Sequence, residues 1–137
     1  MIEDQLISFK TARWAKEKGF NKSSLSAYNL DGILGNFYEI VGENPFDWPD
    51  EDEPNYDDLR YSAPTQCTLQ KWLREVFNIH IHVSNYYQNT KGYKPEYCLY
   101  VNGKQHGWSG NSDGGVYLFR TYEDALEVAL QESLKLI

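Results

Sequence analysis

Cysteine is scarce. The chain has two, Cys67 and Cys98, far apart and in no Cys-x-x-Cys arrangement. That leaves no material for a disulfide framework or a paired-cysteine zinc motif. Both thiols are expected to be reduced and buried. Histidine is equally sparse, with three in all and no His-Glu-x-x-His helix among them. No apolar run approaches the ~20 residues that a spanning helix needs, which argues against a membrane partner. The start, "MIEDQLISFK", carries acids where a signal peptide carries bases, so a cytoplasmic protein is expected. No phosphate loop or dinucleotide fingerprint is present, and the glycines of 103–115 match neither pattern.

What the chain does have is aromatic bulk and acid. Four Trp, eleven Tyr and six Phe in 137 residues give a globular composition, and the length suits one domain. The net charge of −7 is local. Residues 43–58 hold eight acids and no base, and the remainder has 12 acids against 13 bases. Within the acidic run lies "DWPDEDEPNYDD", residues 47–58, where Trp48 and Tyr56 stand among Asp47, Asp50, Glu51, Asp52, Glu53, Asp57 and Asp58.

Periodicity places the elements. Ser8 to Lys18 reads as a helix capped by Ser8, with Gly19 beyond its end and Leu6, Phe9, Ala12 and Ala15 or Trp14 on its apolar side. Residues 20–62 lack a sustained period, although "FYEIV", 37–41, suits a short strand. A second helix over 64–77 follows from Leu69, Trp72, Leu73 and Val76 at i, i+3, i+4 and i+7. Ile79, Ile81 and Val83 alternate with His80, His82 and Ser84, as in a half-buried strand; Tyr97, Leu99 and Val101 alternate with Cys98 and Tyr100. Residues 102–115 read as a glycine-rich connection, and "VYLF", 116–119, as a third strand. Thr121 caps a last helix to 136, with Leu126, Ala129, Leu130, Leu134 and Ile137 on one face.

The expected fold is α+β: a three-stranded antiparallel sheet packed on one face by the helices at 64–77 and 121–136. Ile79, Ile81, Val83, Leu99, Val101, Val116 and Leu118 would face those helices. The chain is expected to form one domain, with 63–137 as the core and 1–62 as a helix plus an irregular, acidic, aromatic-rich segment laid across the other face of the sheet.

Three blocks, "LISFKTARWAKEKGF", "RYSAPTQCTLQKWLREVFNIHIHV" and "YEDALEVALQESLKLI", about 55 residues together, resemble a group of small uncharacterised proteins borne by phages and prophages of Bacteroidetes. The acidic segment and the glycine-rich loop lie outside the resemblance. It implies a phage-associated accessory protein in a bacterial cell, in a setting where non-catalytic binders of host or phage macromolecules are common. It brings no catalytic residues and no cofactor.

Two surfaces can carry function. The acidic segment is first a solvated loop, since eight like charges repel. It lacks the glycine turn of a calcium loop, so neither metal nor cofactor is expected there. With Trp48 and Tyr56 as anchors it also suits a protein partner with a basic surface. The second surface is the sheet face away from the helices, with His80, His82, Cys98, Tyr100 and Tyr117. Two histidines there could ligate zinc with His106 or Cys98 as a third ligand, in a small metal-dependent enzyme. The aromatics could instead stack exposed bases, but the acidic start of the last helix, "TYEDALE", opposes a nucleic-acid duplex. Cys67 near a helix start, and "GWSG" with its incomplete nucleophile elbow, give no convergent acid, base and nucleophile. The reading favoured is a non-catalytic binding protein.

Overall fold

Ser8 begins the first helix by satisfying an orphan donor: its side chain accepts from the Thr11 N–H at 3.3 Å. The computed structural model describes residues 4–22, 24–36, 61–88, 92–109 and 119–137. These fall into two compact units that divide between Thr65 and Gln66. Together they form an α+β protein, with three helices and two three-stranded antiparallel sheets among the described residues.

In the first unit, α1 (Phe9–Glu17) buries Thr11, Ala12 and Ala15, and Gly19 follows at φ 94°. Strands β1 (Ser26–Tyr28), β2 (Leu34–Asn36) and β3 (Tyr61–Ser62) form a sheet in the order β2-β1-β3. A sheet in this region was not expected, because strands of two or three residues are too short to show alternation. Its turn is nevertheless written in polar chemistry. The Asn29 side-chain oxygen accepts from the N–H groups of Asp31 (2.9 Å) and Ile33 (2.8 Å), reversing the chain between β1 and β2. The Tyr28 hydroxyl donates to the Ile7 carbonyl at 2.7 Å, and Phe9 stands edge-on to both Tyr28 and Tyr61. The expected strand at 37–41 lies outside the described residues.

In the second unit, α2 (Gln66–Phe77) leads into the sheet of β4 (Ile79–Gln88), β5 (Gly92–Val101) and β6 (Lys104–Trp108), in that order, and α3 (Tyr122–Leu134) packs on α2, β4 and β5. Helix α2 buries Gln66, Leu69, Trp72 and Leu73, whereas Val76 is 58% exposed. The contact face is thus displaced one turn towards the helix start relative to the apolar pattern. Gln66 can lie there because its amide donates to the Glu123 carbonyl (3.0 Å) and the Glu127 carboxylate (2.9 Å). Ile79, Ile81 and Leu99 are buried and Val83 and Val101 half-buried. On α3, Ala125, Leu126, Ala129, Leu130, Ser133 and Leu134 are buried.

Among the described residues, the third strand of this sheet comes earlier in the chain than the expected one. β6 occupies 104–108, inside the supposed loop, while 116–118 lies outside the described residues. Asn102 (φ 51°) and Gly103 (φ 80°) form a two-residue turn between Val101 and Lys104, which pair in register. Both residues at positive φ make this the tight hairpin that Asn-Gly favours, so the polar run KQHGW pairs with β5.

Thr121 caps α3, accepting from the Asp124 N–H at 3.0 Å. Thr121→Ala should lower stability by about 1 kcal/mol in urea unfolding, and Thr121→Ser should restore most of it.

Candidate functional site

The two faces of the second sheet follow from strand alternation and register. His80 pairs with Tyr100, His82 with Cys98, and Cys98 in turn with Trp108. With Ser84 and Glu96, these residues share the face turned away from Ile79, Ile81 and Leu99. The hairpin turn adds Trp108 to this face, which the sequence pattern had left in a loop.

Glu96 organises one end. One carboxylate oxygen accepts from the Trp108 indole N–H at 3.0 Å and the other from the Ser84 hydroxyl at 3.3 Å. The indole is thereby held in one orientation while remaining 36% exposed. Just past β6, the buried Ser109 accepts from the Tyr97 N–H at 2.9 Å, taking over from the backbone ladder. At the centre, His82 is exposed and its ring stands edge-on to Tyr100, with centroids 5.2 Å apart. A hydrogen bond with the Cys98 side chain, reinforced by the charge a Cys98 thiolate would carry, holds the Tyr100 phenol above its ordinary value. At the other end, His80 Nε2 lies 2.9 Å from the Asn78 side-chain oxygen, and the Asn78 amide donates to the Asn102 side-chain oxygen at 3.1 Å.

The face therefore gathers His80, His82, Cys98 and Tyr100. Among the described residues no three His, Cys, Asp or Glu side chains come together as a metal-binding set. His80 already faces Asn78, and His106, the suggested third ligand, lies where the β5–β6 register shifts. Tyr117 lies outside the described residues. So do all nine residues of the candidate partner site, Asp47, Trp48, Asp50, Glu51, Asp52, Glu53, Tyr56, Asp57 and Asp58, and most of the 20–62 segment expected to cover this face. Both cysteines are free thiols, but Cys67 is exposed, contrary to the expectation of burial. It follows Gln66 by about 100° around α2 and so turns off the buried stripe. No helix among the described residues is long and apolar enough to cross a membrane.

Tyr97 lies on the opposite side of β5, near Phe119 and Glu132. Burial first, and then the Glu132 charge, raise its phenol above 10.0. The folded chain keeps this proton to higher pH than the unfolded chain does. Its contribution to stability is complete below pH 10 and is lost as pH rises from there through the folded value. Melting curves across that range should fall less steeply for Tyr97→Phe than for the parent; parallel curves would contradict this.

No protein-family model matches the chain, and comparison with curated proteins and with solved structures found no match.

Proposed function

We propose that this chain is a non-catalytic binding protein of the phage-associated kind its sequence resembles, acting inside a bacterial cell on a macromolecule, foremost a protein with a basic surface. The observation that carries the reading is Trp108. It is a large aromatic held exposed at a fixed orientation by Glu96, itself held by Ser84. An aromatic anchor beside a carboxylate suits an arginine or lysine of a partner, which can stack on the ring and pair with the acid. The acidic residues 47–58, with Trp48 and Tyr56, supply a second candidate contact of the same sign.

The test is affinity capture from a bacterial lysate, with the bound protein identified by mass spectrometry. A basic protein should be recovered and lost with Trp108→Ala, or with Asp50, Glu51, Asp52 and Glu53 changed to Asn and Gln. Undiminished capture by both variants would reject the proposal. A second reading, single-stranded nucleic acid on the sheet, has one observation in its favour: His82, Tyr100 and Trp108 share a face, and each base stack is worth roughly 1–3 kcal/mol. Glu96 at the same place repels phosphate. Binding of an oligonucleotide at low salt, weakened by Tyr100→Ala, would favour this reading instead.

A further inference from the structure

The hydrogen-bonded series His80–Asn78–Asn102 ends on the one Asn-Gly pair in the chain, and the geometry points to Asn102 as a self-modifying residue. We propose that folded Asn102 undergoes deamidation through a cyclic imide, activated by Asn78. Three observations combine. Asn102 and Gly103 are both exposed in the hairpin turn. Nothing lies within 4 Å of where a Gly103 Cβ would sit, so the turn is open on that side. The Asn78 amide donates to the Asn102 side-chain oxygen at 3.1 Å, the atom on which negative charge develops when the side-chain carbonyl is attacked. His80 Nε2, 2.9 Å from the Asn78 oxygen, can polarise that donor further.

The step balances without an oxidant. Solvent hydroxide takes the Gly103 N–H proton, and the nitrogen attacks Asn102 Cγ. The N–Cγ bond forms, and the bond from Cγ to Nδ2 breaks. The departing nitrogen takes a proton from water and leaves as ammonia. Water then opens the imide at either carbonyl, giving Asp or isoAsp at position 102. In an isoAsp product the main chain runs through the former side chain and gains one atom. A two-residue turn with both residues at positive φ has no room for it, so the product should weaken pairing of β6 with β5. Trp108 sits at the end of β6, so the reaction would age the surface proposed for the partner. That consequence rests on the preceding proposal; the chemistry does not.

The experiment is peptide mapping of the full chain kept at mildly alkaline pH and 37 °C. Tryptic peptide 92–104, "GYKPEYCLYVNGK", has Asn102 as its only asparagine, and peptide 75–91 carries Asn78, Asn85 and Asn89 as internal controls. Peptide 92–104 should gain one mass unit several-fold faster than peptide 75–91, and at least as fast in the folded chain as in the free synthetic peptide. Asn78→Gly keeps a residue that tolerates the positive φ of 54° while removing the donor, and should slow the folded chain several-fold. Folded protein slower than the free peptide, or an Asn78→Gly rate equal to the parent's, overturns the proposal. Loss of partner capture tracks a different variant, Trp108→Ala, so the two proposals fail separately.

Discussion

Replacing Leu130 by alanine is expected to cost the 66–137 unit about 2–5 kcal/mol. Leu130 has no exposed surface, and Leu126 and Leu134, one turn to either side, are 1% and 0% exposed. The three form the stripe by which α3 packs on α2, β4 and β5, whose own buried residues include Leu69, Leu73, Ile79 and Leu99. Truncation removes apolar burial and leaves a void that close-packed neighbours fill only in part. Domains of this size are stable by about 5–15 kcal/mol, so the loss is a large share of the whole. Leu136, beyond the helix end and 40% exposed, is the control. Leu136→Ala should change stability by no more than about 0.5 kcal/mol. Urea unfolding followed by amide exchange in β4 and β5 assigns the effect to this unit. A Leu130→Ala midpoint no lower than that of Leu136→Ala would contradict the packing described.

The same residues show what the sequence makes legible. The helical stripe of Leu126, Ala129, Leu130 and Leu134, and the alternation of Ile79 and Ile81, were readable because each lies in an element long enough to repeat its period. Burial then follows the pattern. β6 was not readable by that route. KQHGW contains one large apolar residue, and that residue points to the face turned away from Leu99. Its signal was the turn: Asn102-Gly103 is the dipeptide that favours positive φ at two successive positions, and weighing it would have placed a strand after it. β1, β2 and β3 are too short for any period, and their cohesion comes from hydrogen bonds such as Tyr28 to Ile7, which join residues far apart in sequence.

The candidate site divides in the same way. Alternation alone puts His80, His82, Cys98 and Tyr100 on one face. It cannot show that His80 is engaged by Asn78, a residue whose conformation is set by the turn out of α2. Nor can it bring Glu96 to Trp108, because that pairing depends on the β5–β6 register and its shift between Leu99 and Tyr100. The metal reading turns on such detail. Two imidazoles at i and i+2 are a pattern, whereas a ligand set needs a third donor that the folded sheet supplies only if the strands bring one alongside.

Gly32→Ala should be the most damaging small substitution in the first unit, at about 2–4 kcal/mol. Two costs add. Gly32 has φ 82°, a conformation that disfavours any Cβ by roughly 1–2 kcal/mol. The added Cβ would also stand 2.9 Å from the Phe9 ring, too close for either group to stay in place. The ring cannot step aside cheaply, since it packs edge-on against Tyr28 at 5.6 Å and Tyr61 at 5.7 Å, with the Arg13 guanidinium over it at 5.6 Å. Gly19 separates the two costs, because its φ is 94° but nothing lies within 4 Å of its missing Cβ. Gly19→Ala should therefore show the backbone cost alone, roughly 1–2 kcal/mol. A double-mutant cycle completes the argument: Phe9→Leu loses ring contacts by itself, but combined with Gly32→Ala it should recover at least about 1 kcal/mol of the predicted sum. Equal losses for the two glycine variants, or strict additivity in the cycle, would show that Phe9 does not hold the β1–β2 turn in the way its distances imply.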